Sequence, residues 1–563
     1  MPAVCSTDSL PKSPLFQYHS EDGSVEQRTN LSYARAKEVA LSSGFDFEDI
    51  LNLTPKFLSF CTHPVVTLDG GAVLLATIQL NLGIGTIAPY VHDRPDLRKL
   101  VEDLLAWRIN LAYMLTEVAH GLDATNIETT ATLCEDGSFD LHTPSDNAAK
   151  FMPPTLPCGE TPRIGLVMAK LIIRGEDRGV RPFIVALNDG KEMCVGVTAR
   201  ELPTRVGSRA VGHSITQFNH VRLLHSSLLG KLETKLDNKK QLQDHLQRIA
   251  VGSLILTSCI VPSLKVSAFV GAKYSQRRHV TNHSGAKIPI ISFRTQQVPI
   301  LYALAQGFVM DSFFKTATSL FVSSKDVSMR NAITAVVKAT MFHHWKKTGV
   351  TIADRCGAQG MFGFNQLASL EMELRGASIA EGDVLVLCIR LASELILGRY
   401  SLPPASHPES PLTRHEAGLL EECRVMLSEM GGNHRSPEFN NLVLPRCLPL
   451  VEAIGFRMAW EAALAHKVPP ALIKLYETGA IGSDLAWYIE HTDISRDAFA
   501  RGEAAALSEV LEGLDGFLDA AEVESSAVAA MLSDESWKRL VSSLPLYEGK
   551  AAFNPFQPIL AKA

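Results

Sequence analysis

Cys356-Gly357-Ala358-Gln359-Gly360-Met361 is followed, twenty-five residues on from Cys356, by Glu381-Gly382-Asp383, which runs straight into the apolar stretch Val384 to Ile389. Gly382 predicts a hinged turn that places one carboxylate at the mouth of a buried helix. A carboxylate held against apolar walls has its pKa raised, which suits a base that removes a weakly acidic proton. Acids at helix N-termini also occur for a plainer reason, the favourable macrodipole. The turn by itself therefore leaves both readings open.

Working outward, 563 residues are too many for one core and predict two to four domains of a soluble, multidomain protein. The formal charge of −6, from 54 basic and 60 acidic residues, comes with only short basic clusters such as Lys239-Lys240 and Lys346-Lys347. Nucleic acid is not an expected partner. The ten cysteines lie far apart, without a CxxC pair or a histidine at zinc spacing, which predicts reduced thiols in an intracellular setting and no metal. His343-His344 sits on a helical stretch, where adjacent side chains point to different faces and do not share an ion.

Residues 1–30 form a polar tail without the apolar core of a secretory signal. Residues 70–91 and 249–261 are apolar, but Gln79, Asn81 and several glycines interrupt the first and the second is too short to span a bilayer. Both read as buried helices, with no membrane span. Ala561-Lys562-Ala563 echoes a peroxisomal address with alanine in place of leucine, so the expected location is the peroxisome or the cytoplasm.

The expected fold class is α+β, mostly α. Residues 31–116 read as an N-terminal helical domain, in which Leu97, Leu100, Val101, Leu104 and Leu105 form one apolar face. Residues 117–224 change to short β-branched runs around turns, predicting a small antiparallel β domain with strands at 129–133, 139–142, 164–173 and 181–187. Within it, the Pro- and Gly-rich residues 145–163 read as a surface excursion. Residues 241–400 return to helical period as a bundle, 401–413 read as a linker, and 414–563 as an additional C-terminal helical domain.

Other chemistries find little support. Gly83-Ile84-Gly85-Thr86-Ile87-Ala88 matches GxGxxA, but an amphipathic helix follows it, not a strand ending in an acid. There is no GxxxxGK[ST], HExxH or GxSxG.

Several segments taken together resemble the peroxisomal-type acyl-CoA oxidases, a branch of the acyl-CoA dehydrogenase flavoproteins. Thr116-Glu117-Val118-Ala119-His120-Gly121 with Glu128-Thr129-Thr130-Ala131-Thr132 resembles that family's T-E-x-G-H-G and E-T-T-A-T. Leu166 to Leu187 resembles its β core, and Gly207 with Phe218 to Leu224 the segment leaving it. Arg277-Arg278 and Thr295-Gln296-Gln297 resemble R-R-Q and Q-T-Q-Q, Cys356 to Gly360 resembles C-G-G-H-G, and Glu381-Gly382 falls at the catalytic E-G. The matches keep family order and spacing, and cover residues 100–399 best.

The resemblance implies that Glu381 takes the α-proton of an acyl thioester while the β-hydrogen leaves as hydride to flavin N5, giving a trans-2-enoyl product, with O2 as electron acceptor and H2O2 as by-product. It implies FAD as cofactor, with Thr116 against the flavin ring, Arg277 or Arg278 and Gln297 at the pyrophosphate from a neighbouring protomer, and Gly357 and Gly360 permitting close backbone approach. A homodimer follows from a shared cofactor.

Departures cluster around substrate and flavin. Ala119, Leu122-Asp123, Ala358-Gln359 and Val384 replace family residues, and Phe151-Met152 with residues 153–159 replace a Trp pair and a Gly-Gly. These leave two alternatives: desaturation or flavin oxygenation of a specialised substrate not linked to CoA, and a structural protein that keeps the fold without the chemistry. Retention of Glu381, Thr116 and Arg277 together favours the enzyme.

Overall fold

The computed structural model describes residues 7–17, 23–121, 123–206, 208–232, 238–399, 401–552 and 556. Gly207, Leu122 and the C-terminal tripeptide lie outside these residues.

The N-terminal helices are α1 (Val25–Ser43), α2 (Gly70–Thr77) and α3 (Pro95–Leu105). Ser24 and Gln27 close a capping box on α1, which ends at Gly44 in the left-handed region. Asp69 caps α2 through the Ala72 amide (2.9 Å) and also takes a buried ion pair from Arg35 of α1 (3.0 Å), so one carboxylate joins two helices. After α2 the chain widens into a π-helical turn, Ile78–Ile84. Gln79 there bonds Leu104 O (2.8 Å) and receives Leu111 N (3.0 Å), and Asn81 bonds Arg248 O (2.9 Å). The polar residues that interrupt the apolar stretch are thus spent on buried backbone groups. Segments 70–90 and 242–277 are each long and apolar enough to cross a membrane, yet 89% and 83% of their most apolar windows are buried inside the protein.

The helical reading of residues 31–116 breaks at β1 (Asn110–Met114), which joins the sheet. The other strands are β2 (Thr130–Leu133), β3 (Phe139–His142), β4 (Lys150–Pro154), β5 (Arg163–Ile173), β6 (Glu176–Asn188), β7 (Val197–Glu201), β8 (His213–Phe218), β9 (Val221–Leu223), and the hairpin β10 (His279–Thr281) and β11 (Lys287–Pro289). One sheet runs β1-β5-β2-β3-β9 with β6 also on β5; a second runs β4-β8-β7. Most pairs are antiparallel, as expected, but β5 pairs in parallel with β2, an expected strand, and with β1, which comes from the segment read as helical. β5 is covered on both faces and reads as a near-continuous apolar run, whereas β3 alternates Phe139 and Leu141 inward with Asp140 and His142 less buried.

Residues 145–163 are not a surface excursion throughout. β4 occupies their middle, with Lys150 and Thr155 fully buried. Both prolines of β4 suit an edge position, where the lost amide donor is harmless.

The bundle consists of α4 (Gln247–Ser258), α5 (Ile260–Arg277), α6 (Arg294–Ser323), α7 (Val327–Arg355), α8 (Leu367–Ile379) and α9 (Val384–Ile396). Beyond it lie α10 (Pro411–Glu429), α11 (Cys447–Ala465), α12 (Pro470–Ser483), α13 (Leu485–His491), α14 (Arg496–Glu512) and α15 (Asp534–Ser543). Helix α11 packs on α6, α7 and α9, and α12 on α6. One apolar core runs from Phe57 and Ile84 through Leu254, Leu304 and Val337 to Val451 and Leu507. Residues 401–410 are a turn of chain path, and the helices after them share the bundle's core.

Candidate active site

Helix α8 ends with Ala380 N bonded to Gly376 O, and α9 begins at Val384, capped by Asp383 through Leu385 N (3.0 Å) and Val386 N (3.3 Å). Between them Glu381 has φ +57° and Gly382 φ +108°. A glutamate in the left-handed region costs about 1 kcal/mol or more, and surrounding structure has to hold it there. The turn aims the Glu381 side chain inward at α4. A Cβ added to Gly252 would overlap the carboxylate, so the two elements touch because residue 252 has no side chain.

Glu381 Oε2 is buried and has no hydrogen-bond partner. Burial pushes the carboxyl up to about 8, against the opposing pull of the Lys338 charge. Lys338 projects from the middle of α7, is 1% exposed, and donates to Ala380 O and Gly382 O, both at 2.6 Å. Burial draws its own pKa down to about 8. Tyr113 of β1, whose hydroxyl is also buried without a partner, and Cys61, a buried free thiol, are the neighbouring titratable groups among the described residues. Burial raises the pKa of both, so both are neutral near pH 7.

Thr116 follows β1 directly. Its carbonyl accepts Phe151 N (2.9 Å), and its hydroxyl has no hydrogen bond among the described residues. What fixes it is the next residue. Glu117 accepts from Glu128 N (2.6 Å), Thr129 N (3.0 Å), Thr129 Oγ1 (2.7 Å) and Lys150 Nζ (2.9 Å). Burial opposes ionisation of Glu117, but Lys150 and these donors outweigh it and hold its pKa below the usual carboxylate range. Lys150 further donates to Leu115 O (3.2 Å) and Met168 O (2.8 Å). The T-E and E-T-T segments and Lys150 therefore form one buried network. Reading the sequence missed Glu117 and Lys150 as its centre, and Lys338 as well, though a lysine inside the apolar run Ala332 to Met341 is a visible signal.

Arg277, Arg278, Gln297, Gly357 and Gly360 gather at the other end of the bundle. Gln296 pins α5, α6 and α7 together there, donating to Ser275 Oγ (2.8 Å) and Arg355 O (3.0 Å). Arg277 is already engaged within its own chain, by Met531 O (3.0 Å) and Asp534. Arg278 is exposed. Gln297 donates to Ile291 O (2.8 Å), while its Oε1 is buried without a partner. Gly357 has φ +58° and faces open space. Gly360 is required for another reason: a Cβ there would strike the Ala353 carbonyl at the end of α7. His343 pairs with Glu452 (3.0 Å) and His344 with Tyr476 (3.1 Å), on different faces, and the described residues contain no metal-binding cluster.

A mostly helical chain with small sheets set between its helices is the fold shared with solved acyl-CoA oxidases. Residues 251–396 match the family model for the acyl-CoA oxidase C-alpha1 domain, and the chain is similar to proteins of that name at low identity. Acyl-coenzyme A oxidase acox-1.3 of Caenorhabditis elegans is 24% identical over 414 residues, covering 68% of this chain and 57% of the relative. For acox-1.2 of the same organism the figures are 24%, 80% and 65%, so the chain spans about three-fifths of these curated relatives. Acyl-CoA oxidase 1 of Yarrowia lipolytica superposes with a TM-score of 0.77 at 17% identity, covering 99% of this chain and 90% of that one. C. elegans acyl-CoA oxidase-2, solved with FAD, ascaroside-CoA and ATP, superposes with a TM-score of 0.71 at 17% identity, covering 98% and 94%.

Proposed function

We propose that this chain oxidises an acyl-CoA thioester to its trans-2-enoyl product, with FAD as cofactor and O2 as final electron acceptor. The enclosed Glu381 carboxylate is the observation that carries the proposal. An acid with a buried, unpartnered oxygen on a strained turn is costly for a scaffold to keep and useful only to a base. Bound FAD supplies the acceptor for the β-hydride and returns the electron pair to O2, giving H2O2. Glu381 removes the α-proton, and its dry surroundings raise its basicity toward that proton. Tyr113, neutral and beside it, adds no competing charge.

The residues present fit the cofactor in a particular way. Thr116 offers a free hydroxyl on a rigid segment between the exposed Val118 and Phe151, Gln297 offers an unsatisfied oxygen, and Arg278 an exposed guanidinium for phosphate. Arg277 contributes only by exchanging Asp534 for phosphate. Lys338, beside Glu381, and Arg355, beside Gly357, lie seventeen residues apart on α7, roughly 25 Å along its axis. On this reading the two groups of one chain serve different flavins, each cofactor being shared between the protomers of a homodimer. The peroxisomal relatives of rabbit and Arabidopsis thaliana favour an intracellular setting, the peroxisome or cytoplasm.

An absorbance spectrum of the purified protein, taken before and after anaerobic addition of an acyl-CoA panel, tests the proposal. Flavin bands that bleach, then return with H2O2 on admission of air, are the expected result. Bands indifferent to every acyl-CoA would sink the substrate class, and protein without flavin would sink the reaction.

A further inference from the structure

Among the described residues Lys338 is the buried cation that faces the Glu381 turn, and the reaction proposed above gives it no role. Its two hydrogen bonds, to Ala380 O and Gly382 O, leave from a helix separate from the turn and end on the carbonyls either side of Glu381. Two carbonyls fixed from one point restrain the 380–381 and 382–383 peptide planes, which bracket the left-handed pair Glu381 (φ +57°) and Gly382 (φ +108°). We propose that Lys338 is the positioning residue of this site: it clamps the left-handed turn that aims the Glu381 carboxylate at α4, and it supplies the positive charge beside that carboxylate.

Every element packed on the turn bears on this assignment. Tyr113 comes from β1 and Cys61 from the turn before α2, and both stay neutral near pH 7. From α4 comes Gly252, without a side chain, and Asp383, on the turn itself, is spent on capping α9. Lys338 is therefore the group whose charge favours ionised Glu381 over its acid form. A lysine whose stem merely fills space on α7 would not need an ammonium group there, and burying one is costly unless it is hydrogen-bonded.

The inference rests on Glu381 being the base, and its test reads Glu381 directly. The Glu381 carboxyl is titrated by 13C NMR in 13C-glutamate-labelled protein, assigned by loss of the signal in Glu381→Gln, and compared in Lys338→Met. The midpoint is expected to move up by about one unit or more. With acyl-CoA, kcat is expected to fall at least tenfold with KM changed less than threefold, and Lys338→Arg to restore part of both. An unshifted midpoint together with an unchanged pH profile of kcat would overturn the proposal. If the Met variant does not fold, Lys338→Gln, neutral but able to donate to one carbonyl, carries the same titration with the same expected direction. Should wild-type protein oxidise no acyl thioester, the proposed reaction fails, while the titration still decides whether Lys338 governs Glu381.

Discussion

At the scale of single residues, the chain's investment is a carboxylate placed where it is costly. Glu381 titrates near 8 in the fold against an ordinary 4.5. Between those values the native state holds a proton that the unfolded chain has released, so this group's contribution to stability is present below about 4.5 and is lost as pH rises through about 8. Glu381→Gln is expected to melt like wild type at pH 5 and about 2 °C or more above it at pH 9, by calorimetry of the two proteins side by side. The same substitution is expected to cut turnover by at least about a thousandfold while leaving FAD bound; turnover within tenfold of wild type would remove Glu381 as the base. In wild type, kcat/KM should climb with pH toward about 8 as Glu381 ionises, and turn down above it as Lys338, drawn down to about 8 by burial, gives up its charge. Much of this residue was legible: the glycine, the spacing and the apolar run predict an acid on a turn at the mouth of a buried helix. Lys338 was not, since a lone lysine on a helix declares its partners only once residues forty positions away are folded beside it.

At the scale of elements, close approach decides which helix the base meets. Gly252 lets α4 touch the carboxylate, so Gly252→Ala is expected to displace Glu381 and lower kcat at least tenfold in a protein that still folds, as read by turnover alongside circular dichroism. Gly455 of α11 packs on Thr340 of α7 in the same manner. Gly455→Ala should instead cost about 1–3 kcal/mol of stability by overpacking, without the selective loss of kcat. The sheet shows where sequence reading stops. Phe139 and Leu141 alternate visibly, and β2, β3, β5 and β6 fall close to their expected places. β1 reads as helix because five residues carry little period, and it becomes a strand by pairing in parallel with β5, more than fifty residues later in the chain. β4 hides in a proline-rich stretch because its fixing contacts, Lys150 to Glu117 and Thr155 to Ser214, are tertiary. Breaking that buried pair with Lys150→Met is expected to cost about 3–5 kcal/mol in denaturant unfolding and to loosen the segment carrying Thr116.

At the scale of the whole molecule, the middle and the C-terminal end of α7 carry different halves of the proposed site. The Glu381 turn sits against its middle, and Gln297, Arg278 and Gly357 sit at its C-terminal end, roughly 25 Å further along the helix axis. If one flavin needs both, two chains must supply them, and complementation reads this directly. Glu381→Gln lacks the base, and Gln297→Ala combined with Arg278→Ala lacks the distal contacts, so each homodimer is expected to be nearly inactive. In a mixed dimer whose sites each draw on both chains, one site receives both defects and the other receives neither. Random assortment then restores roughly a quarter of wild-type turnover, because half the dimers are mixed and each has one intact site. Sites built within single chains would give no such recovery, since every site in the mixture would keep one defect. Recovery therefore separates a shared flavin from two independent ones without any knowledge of the natural acyl group.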